Sequence, residues 1–142
     1  MRIACVVVVL AWLAVLSGCD IRHRRLPNLL TLPGALVILA GAGLAGRGVA
    51  ALLGAAALTT LYLAVHLVAP AAMGAGDVKL ATGLGALTGC FGVDVWFLAA
   101  LAAPLCTVVI AAVARARSVP HGPSMCLASG LALALTQLTL LR

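Results

Sequence analysis

The sequence contains very few acidic side chains and few charges of either sign. Its 142 residues include no glutamate and only three acidic residues, and charged residues make up 8% of the composition. With 65% hydrophobic residues and a mean hydropathy of +1.26, this composition excludes an ordinary water-soluble globular domain. It predicts an integral membrane protein, in which each remaining carboxylate is a candidate for function because ionisable groups at membrane depth are costly.

Several kinds of functional site also lack the residues they need. The five cysteines form no Cys-x-x-Cys pair, and no His, Asp, Glu or Cys cluster has metal-site spacing, so we expect no metal and no other cofactor. The net charge of +6 comes from cations at predicted helix ends and in short loops, without interleaved aromatic residues. We therefore expect no nucleic-acid partner.

Six apolar stretches recur along the chain, and no polar block is long enough to fold in water. They predict an all-α, multi-pass membrane helix bundle that forms a single domain over residues 1–142. In the fourth stretch, Gly83, Gly85 and Gly89 favour close contact between helices. The predicted spans are Ile3–Cys19, Leu29–Gly46, Val49–Ala69, Val78–Gly92, Val95–Ala114 and Ser124–Leu141.

The distribution of basic residues predicts how the bundle is oriented. The loops after the first, third and fifth spans hold Arg22, Arg24, Arg25, Lys79, Arg115 and Arg117, and the opposite side holds Arg2, Arg47 and Arg142. The positive-inside rule then places these three loops in the cytoplasm and both termini outside. Asp20 and Asp77 fall on the cytoplasmic side, where they can meet, and Asp94 falls on the other side.

Asp20 and Asp77 each lie beside the end of a predicted span, in a distinctive segment. Residues 20–28 read DIRHRRLPN, and residues 73–80 read MGAGDVKL. Two carboxylates that meet cannot both ionise cheaply, so they share a proton and can act as an acid and a base. We expect residues 73–77 to form a turn in which Gly74 and Gly76 allow close approach of a substrate backbone or a positive φ.

Other polar residues near these segments have less specific interpretations. Pro27 disfavours helix at the preceding residue, and Asn28 is a plausible cap of the second span. Lys79 either contacts substrate or the active site, or extends along the helix end to the membrane surface. His66 is expected to be a hydrogen-bonded core histidine. We expect His121, in a basic loop, to be solvated.

Together these segments resemble the motifs of the type IV prepilin peptidases, a family of GxGD intramembrane aspartyl proteases. Residues 73–80 match the Gly-x-Gly-Asp motif, and residues 20–28 match an aspartate followed by a basic stretch and Pro-Asn. Residues 119–123, VPHGP, are similar to the proline–glycine–proline stretch before the last helix, with His121 where an aromatic residue is common.

The resemblance implies an activity, a substrate and a location. It implies an endopeptidase that removes the leader peptide of type IV pilin-like precursors at the cytoplasmic face of the cell membrane, after a glycine. The lipid bilayer and these precursors would be its partners. The implied catalytic residues are Asp20 and Asp77, and the implied substrate or active-site loop residues are Pro27, Asn28, Gly74, Gly76 and Lys79.

Larger members of that family carry a cytosolic domain with paired Cys-x-x-Cys motifs, which is linked to N-methylation. This chain resembles a minimal form without that domain. Three alternatives remain open on the sequence alone. A small transporter or channel subunit also uses buried aspartates and broken helices, a structural membrane subunit needs neither aspartate, and an inactive paralogue would keep the fold without the activity.

Overall fold

The computed structural model describes residues 2–71, 73–115 and 119–140, and there it consists of six α-helices without strands. This confirms the all-α prediction and the number of helices. Arg117, Leu141 and Arg142, which entered the predictions of topology and of the last span, lie outside the described residues. The helices are α1 (Arg2–His23), α2 (Asn28–Leu44), α3 (Gly48–Val68), α4 (Ala75–Gly89), α5 (Val93–Ala114) and α6 (Gly122–Leu140).

Three of these helices are long and apolar enough to cross a membrane. They are Ala4–His23, Gly48–Val68 and Val93–Ala114, and α2 is a shorter apolar helix. Large aliphatic side chains face outward, among them Leu44 at 92% exposure and Val113 at 81%. Such outward-facing groups suit a lipid environment, and the chain is a membrane protein. The cytoplasmic position of the odd-numbered loops stays a prediction.

Two helix boundaries near the aspartates differ from those predicted. α1 continues four residues past Cys19 to His23, because the backbone of Arg24 still donates to the Asp20 carbonyl (2.8 Å) before its left-handed φ of 49° ends the helix. α4 begins at Ala75, so Asp77 lies in its first turn and not in a preceding loop. An apolar run ends at its first charged residue, whereas a helix ends only where its hydrogen bonds stop.

α4 lies at the centre of the bundle, in contact with α2, α3, α5 and α6. Its close approach to α3 depends on glycine, since a Cβ at Gly85 would meet the Gly54 carbonyl oxygen and lie 2.9 Å from the Leu58 Cβ. A Cβ at Gly89 would lie 2.8 Å from the Ala50 carbonyl oxygen. The predicted role of Gly85 and Gly89 in close helix contact is confirmed.

The largest cluster of buried side chains lies between α4 and its neighbours. Leu16 and Leu80 are almost fully buried in it, and Leu26 and Met73 pack against its edge. Because Leu26 and Met73 belong to the segments that flank the aspartates, this apolar cluster fixes those segments relative to each other. The buried members are Leu13, Leu16, Leu58, Tyr62, Leu80, Ala81, Leu84, Ala103, Met125, Cys126 and Ala128.

Gly85→Ala is expected to destabilise the bundle by about 1–3 kcal/mol, because the added methyl group overpacks the contact between α3 and α4. Gly41→Ala is the matched control, since a Cβ there meets no atom within 4 Å. Its expected effect is stabilising by about 0.5–1 kcal/mol through helix propensity. Thermal unfolding of both variants in detergent measures the difference, and equal effects would contradict the close α3–α4 contact.

Candidate active site

Asp20 lies in the last turn of α1 and is only 7% exposed. A carboxylate near the C-terminal end of its own helix is unfavourable, because the helix dipole is negative there. The N-terminus of α6 compensates for this, since the Gly122 amide donates to Asp20 Oδ2 at 3.1 Å. Asp20 is therefore held by an element 102 residues away in the sequence.

Asp77 occupies the first turn of α4, where the helix dipole favours a negative charge. Its Oδ2 accepts a hydrogen bond from the Gly74 amide at 3.1 Å. Burial raises the pKa of Asp77 to about 6, the Gly74 hydrogen bond opposes this rise, and the negative charge of Asp20 adds to it. The two carboxylates are thus close enough to influence each other's ionisation.

Both carboxylates line one cavity of about 320 Å³. The structure brings four of the five predicted loop residues into the same cavity, and the exception is Pro27, which lines an adjoining cavity of about 420 Å³. Asp94 is exposed at the start of α5, beyond the far end of α4. The residues around the carboxylates are Asp20, Arg24, Arg25, Leu26, Asn28, Gly74, Ala75, Gly76, Asp77 and Lys79.

Asn28 and Lys79 join α2 to α4 at the rim of this cavity. The Lys79 Nζ donates to the Asn28 Oδ1 at 2.9 Å. The prediction that Asn28 caps α2 is wrong, because Pro27 takes the cap position with ψ 127° and Asn28 is already the first helical residue. The Pro27 carbonyl accepts from the Thr31 amide, and the Asn28 side chain is left to bind Lys79.

The glycines of the Asp77 segment do not adopt positive φ, so that alternative is wrong, and close approach of a substrate backbone stays a prediction. Gly74 is extended, with φ −75°, and Gly76 lies inside α4. A Cβ at Gly76 would lie 3.3 Å from the Leu26 Cβ, so glycine at this position makes room for the Leu26 side chain. The bare backbone at Gly76 brings the α1–α2 connection against α4, and this contact forms one wall of the cavity.

Two backbone peptide groups that hold the carboxylates were not identified from the sequence. The His66 Nδ1 lies 2.7 Å from the Met73 carbonyl oxygen, which belongs to the same peptide group as the Gly74 amide. Because a carbonyl only accepts, this His66 nitrogen carries the hydrogen. The other peptide group precedes Gly122. Its sequence signal was the glycine-proline pair at the start of the last helix, which marks an N-terminus with free amides.

These groups place a pair of carboxyl groups in one cavity. Among the described residues, no group of three or more His, Cys, Asp or Glu side chains could hold a metal ion. Two carboxyl groups in one partly buried cavity, each accepting one backbone hydrogen bond, can hold one proton between them and activate water.

The sequence profile of the type IV leader peptidase family matches residues 7–116. The chain belongs to this family. Membership supports a leader-peptidase-like protease and confirms the resemblance to the prepilin peptidases. Both cavity carboxylates lie within the matched region of this leader peptidase family member, and Gly122 lies beyond it. No curated protein and no solved structure matches the chain significantly.

Gly122→Ala is expected to lower peptidase activity about 100-fold, as a misplacement of a reacting group by about 1 Å can do. The physical reason is that a Cβ at this position would lie 2.6 Å from Asp20 Oδ2 and displace the carboxylate. Gly130→Ala on the same helix is the control, because a Cβ there makes only an ordinary contact, 3.8 Å from the Leu13 Cδ1. Leader cleavage, scored by gel shift, measures both, and equal activities would contradict the placement of Gly122.

The raised pKa of Asp77 predicts a pH-dependent effect on stability. The folded chain binds this proton more tightly than the unfolded chain, in which the pKa is near 3.8, so the contribution is complete below pH 3.8 and is lost as the pH rises through about 6. Asp77→Asn is therefore expected to raise the thermal unfolding temperature relative to wild type at pH 7.5 and less so at pH 4. Asp94→Asn, at an exposed site, is the control. A difference in unfolding temperature between Asp77→Asn and wild type that is the same at both pH values would contradict the raised pKa of Asp77.

Proposed function

We propose that this chain is an intramembrane aspartyl endopeptidase that removes the leader peptide of type IV pilin-like precursors. The observation that supports this most directly is the placement of Asp20 and Asp77 in one cavity, each held by a backbone amide. Membership of the leader peptidase family supports a peptidase reaction. The carboxyl pair supports an aspartyl mechanism for that reaction.

In the proposed reaction the pair holds one proton. The ionised carboxylate takes a proton from a water molecule, and the resulting hydroxide attacks the scissile carbonyl carbon of the leader peptide. The protonated carboxyl group donates a hydrogen bond to the carbonyl oxygen as negative charge develops on it. When the C–N bond breaks, a proton passes from the pair to the leaving amine.

We further propose that the reaction takes place at the cytoplasmic face of the cell membrane. The excess of basic residues in the loops on the Asp20 and Asp77 side supports this orientation. The substrate would be a pilin-like precursor with a short basic leader, a glycine before the cleaved bond and a long apolar helix. The six helices would work as a single membrane domain, with Asn28, Lys79, Gly74 and Gly76 beside the bound peptide.

Asp20→Asn and Asp77→Asn are each expected to abolish leader cleavage while membrane insertion and folding persist. The carboxamide of an asparagine side chain cannot hold or release the shared proton. One remaining carboxylate cannot act as both the acid and the base. The measurement is co-expression with a pilin-like precursor, scored by the size shift of the precursor. Asp94→Asn is the matched control and is expected to retain wild-type cleavage, because Asp94 lies beyond the far end of α4.

The same experiment separates the proposed function from the alternatives. A structural membrane subunit or an inactive paralogue would give no cleavage in the wild-type chain. A transporter or channel subunit would give none either, and its carboxylates would affect proton flux in vesicles instead. Near-normal cleavage by either cavity variant would refute the two-carboxylate mechanism.

A further inference from the structure

His121, which the sequence suggested was solvated, is half-buried and contacts two other helices. Its Nε2 lies 3.1 Å from the Tyr62 hydroxyl oxygen on α3. Its Nδ1 lies 2.6 Å from the Thr107 Oγ1 on α5. Its backbone carbonyl accepts the amide of Met125, at 3.1 Å, in the first turn of α6. One residue therefore connects three helices immediately before Gly122.

The hydrogen-bond partners of the His121 ring indicate which of its two nitrogens carries the hydrogen. Thr107 has one hydroxyl hydrogen, which it donates to the Ala103 carbonyl oxygen at 3.1 Å. The arrangement that satisfies both Thr107 contacts has Thr107 Oγ1 accept from His121 Nδ1, which then carries the hydrogen. Burial lowers the pKa of His121, which favours the neutral ring. In a neutral ring protonated at Nδ1, Nε2 is an acceptor, so the Tyr62 hydroxyl donates to it.

These hydrogen bonds are linked to the carboxyl pair through the backbone. The peptide group between His121 and Gly122 carries the Gly122 amide, and this amide donates to Asp20 Oδ2. Tyr62, which contacts the other side of the His121 ring, is 4% exposed and lies within electrostatic range of Asp77. A ring held at both nitrogens cannot rotate without breaking a hydrogen bond, and the His121 carbonyl, in the same peptide group as the Gly122 amide, accepts from the Met125 amide, so both the ring and the backbone of His121 are held beside Asp20.

We propose that His121 is a positioning residue: held by Tyr62 and Thr107, it aims the Gly122 amide at Asp20 and so orients the carboxylate for cleavage. The inference rests on the proposed function only for its effect on cleavage. His121 is not among the residues that line the cavity of the carboxyl pair, so its role is indirect. The Tyr62–His121–Thr107 relay acts through one backbone peptide group.

The first test observes the proton positions without any substrate. Protein labelled with ¹⁵N at histidine is placed in nanodiscs at pH 7.5, and long-range ¹H–¹⁵N spectra report which ring nitrogen carries hydrogen. The His121 resonances are assigned by their loss in His121→Phe. We expect hydrogen on Nδ1 and none on Nε2. Hydrogen on Nε2 alone, or rapid exchange between the two forms, would overturn the proposed relay.

The second test compares variants of the relay in leader cleavage. His121→Phe keeps a ring of similar size but removes both hydrogen bonds, and we expect kcat to fall about 10- to 100-fold while KM changes less than about twofold. His121→Gln, whose carboxamide offers one donor and one acceptor, is expected to recover part of the loss. Leu131→Phe, at an exposed position farther along α6, is the control and is expected to have no effect.

Coupling between relay members gives the sharpest measurement. Tyr62→Phe alone is expected to lower kcat less than His121→Phe, and the double variant no further than His121→Phe, because the Tyr62 hydroxyl acts only through the ring. Additive losses, or a loss in KM instead of kcat, would overturn the positioning role. If Asp20→Asn still cleaves, the two-carboxylate mechanism fails, whereas normal kcat in His121→Phe with inactive Asp20→Asn refutes this inference alone.

Discussion

The hydrogen bond from the Gly122 amide to Asp20 is the interaction on which the rest of the site depends. An apolar bundle offers little water to an ionised side chain, and Asp20 lies at the end of α1 where the helix's own dipole is unfavourable. The N-terminus of α6 supplies both an amide donor and a favourable dipole. The first and last helices must therefore pack against each other before the carboxylate is accommodated, and α1 and α6 are in contact.

The two carboxylates are supported in different ways. Asp77 accepts from an amide only three residues earlier, at the start of its own helix, so a folded first turn of α4 is sufficient to hold it. Asp20 depends on a partner 102 residues away. Loosening of α6 would thus release Asp20 while leaving Asp77 in place. In a reaction that needs both carboxyl groups, correct docking of the last helix controls whether the pair is assembled at all.

Much of this architecture could be predicted from the sequence, because apolar run length and helix-end signals are local properties. The number of helices, the central glycine contacts and the meeting of the Asp20 and Asp77 segments all followed from such signals. The partners of the polar groups did not. Asn28 was expected to cap α2, yet the rigid Pro27 occupies the cap position and Asn28 binds Lys79. His121 was expected in solvent because its neighbours are polar, and only the packing of α3 and α5 shows otherwise.

The register between α3 and α4 explains why the pair is recessed. Ala50 faces Gly89 and Gly54 faces Gly85, and the hydroxyl oxygens of Thr59 and Thr82 are 2.9 Å apart. The two helices are therefore antiparallel, and the start of α3 lies beside the end of α4.

Near the other end of the two helices, Tyr62 of α3 lies within electrostatic range of Asp77, and α3 extends six residues beyond Tyr62, to Val68. At about 1.5 Å per residue, α3 rises roughly 9 Å past that level. Asp77 is therefore partly desolvated, which raises its pKa, and it lies level with the tyrosine that holds His121. The glycines that set this register thus also determine the depth of the carboxyl pair. A shift of α4 by one turn would separate Asp77 from Tyr62 even if every side chain of the site were retained.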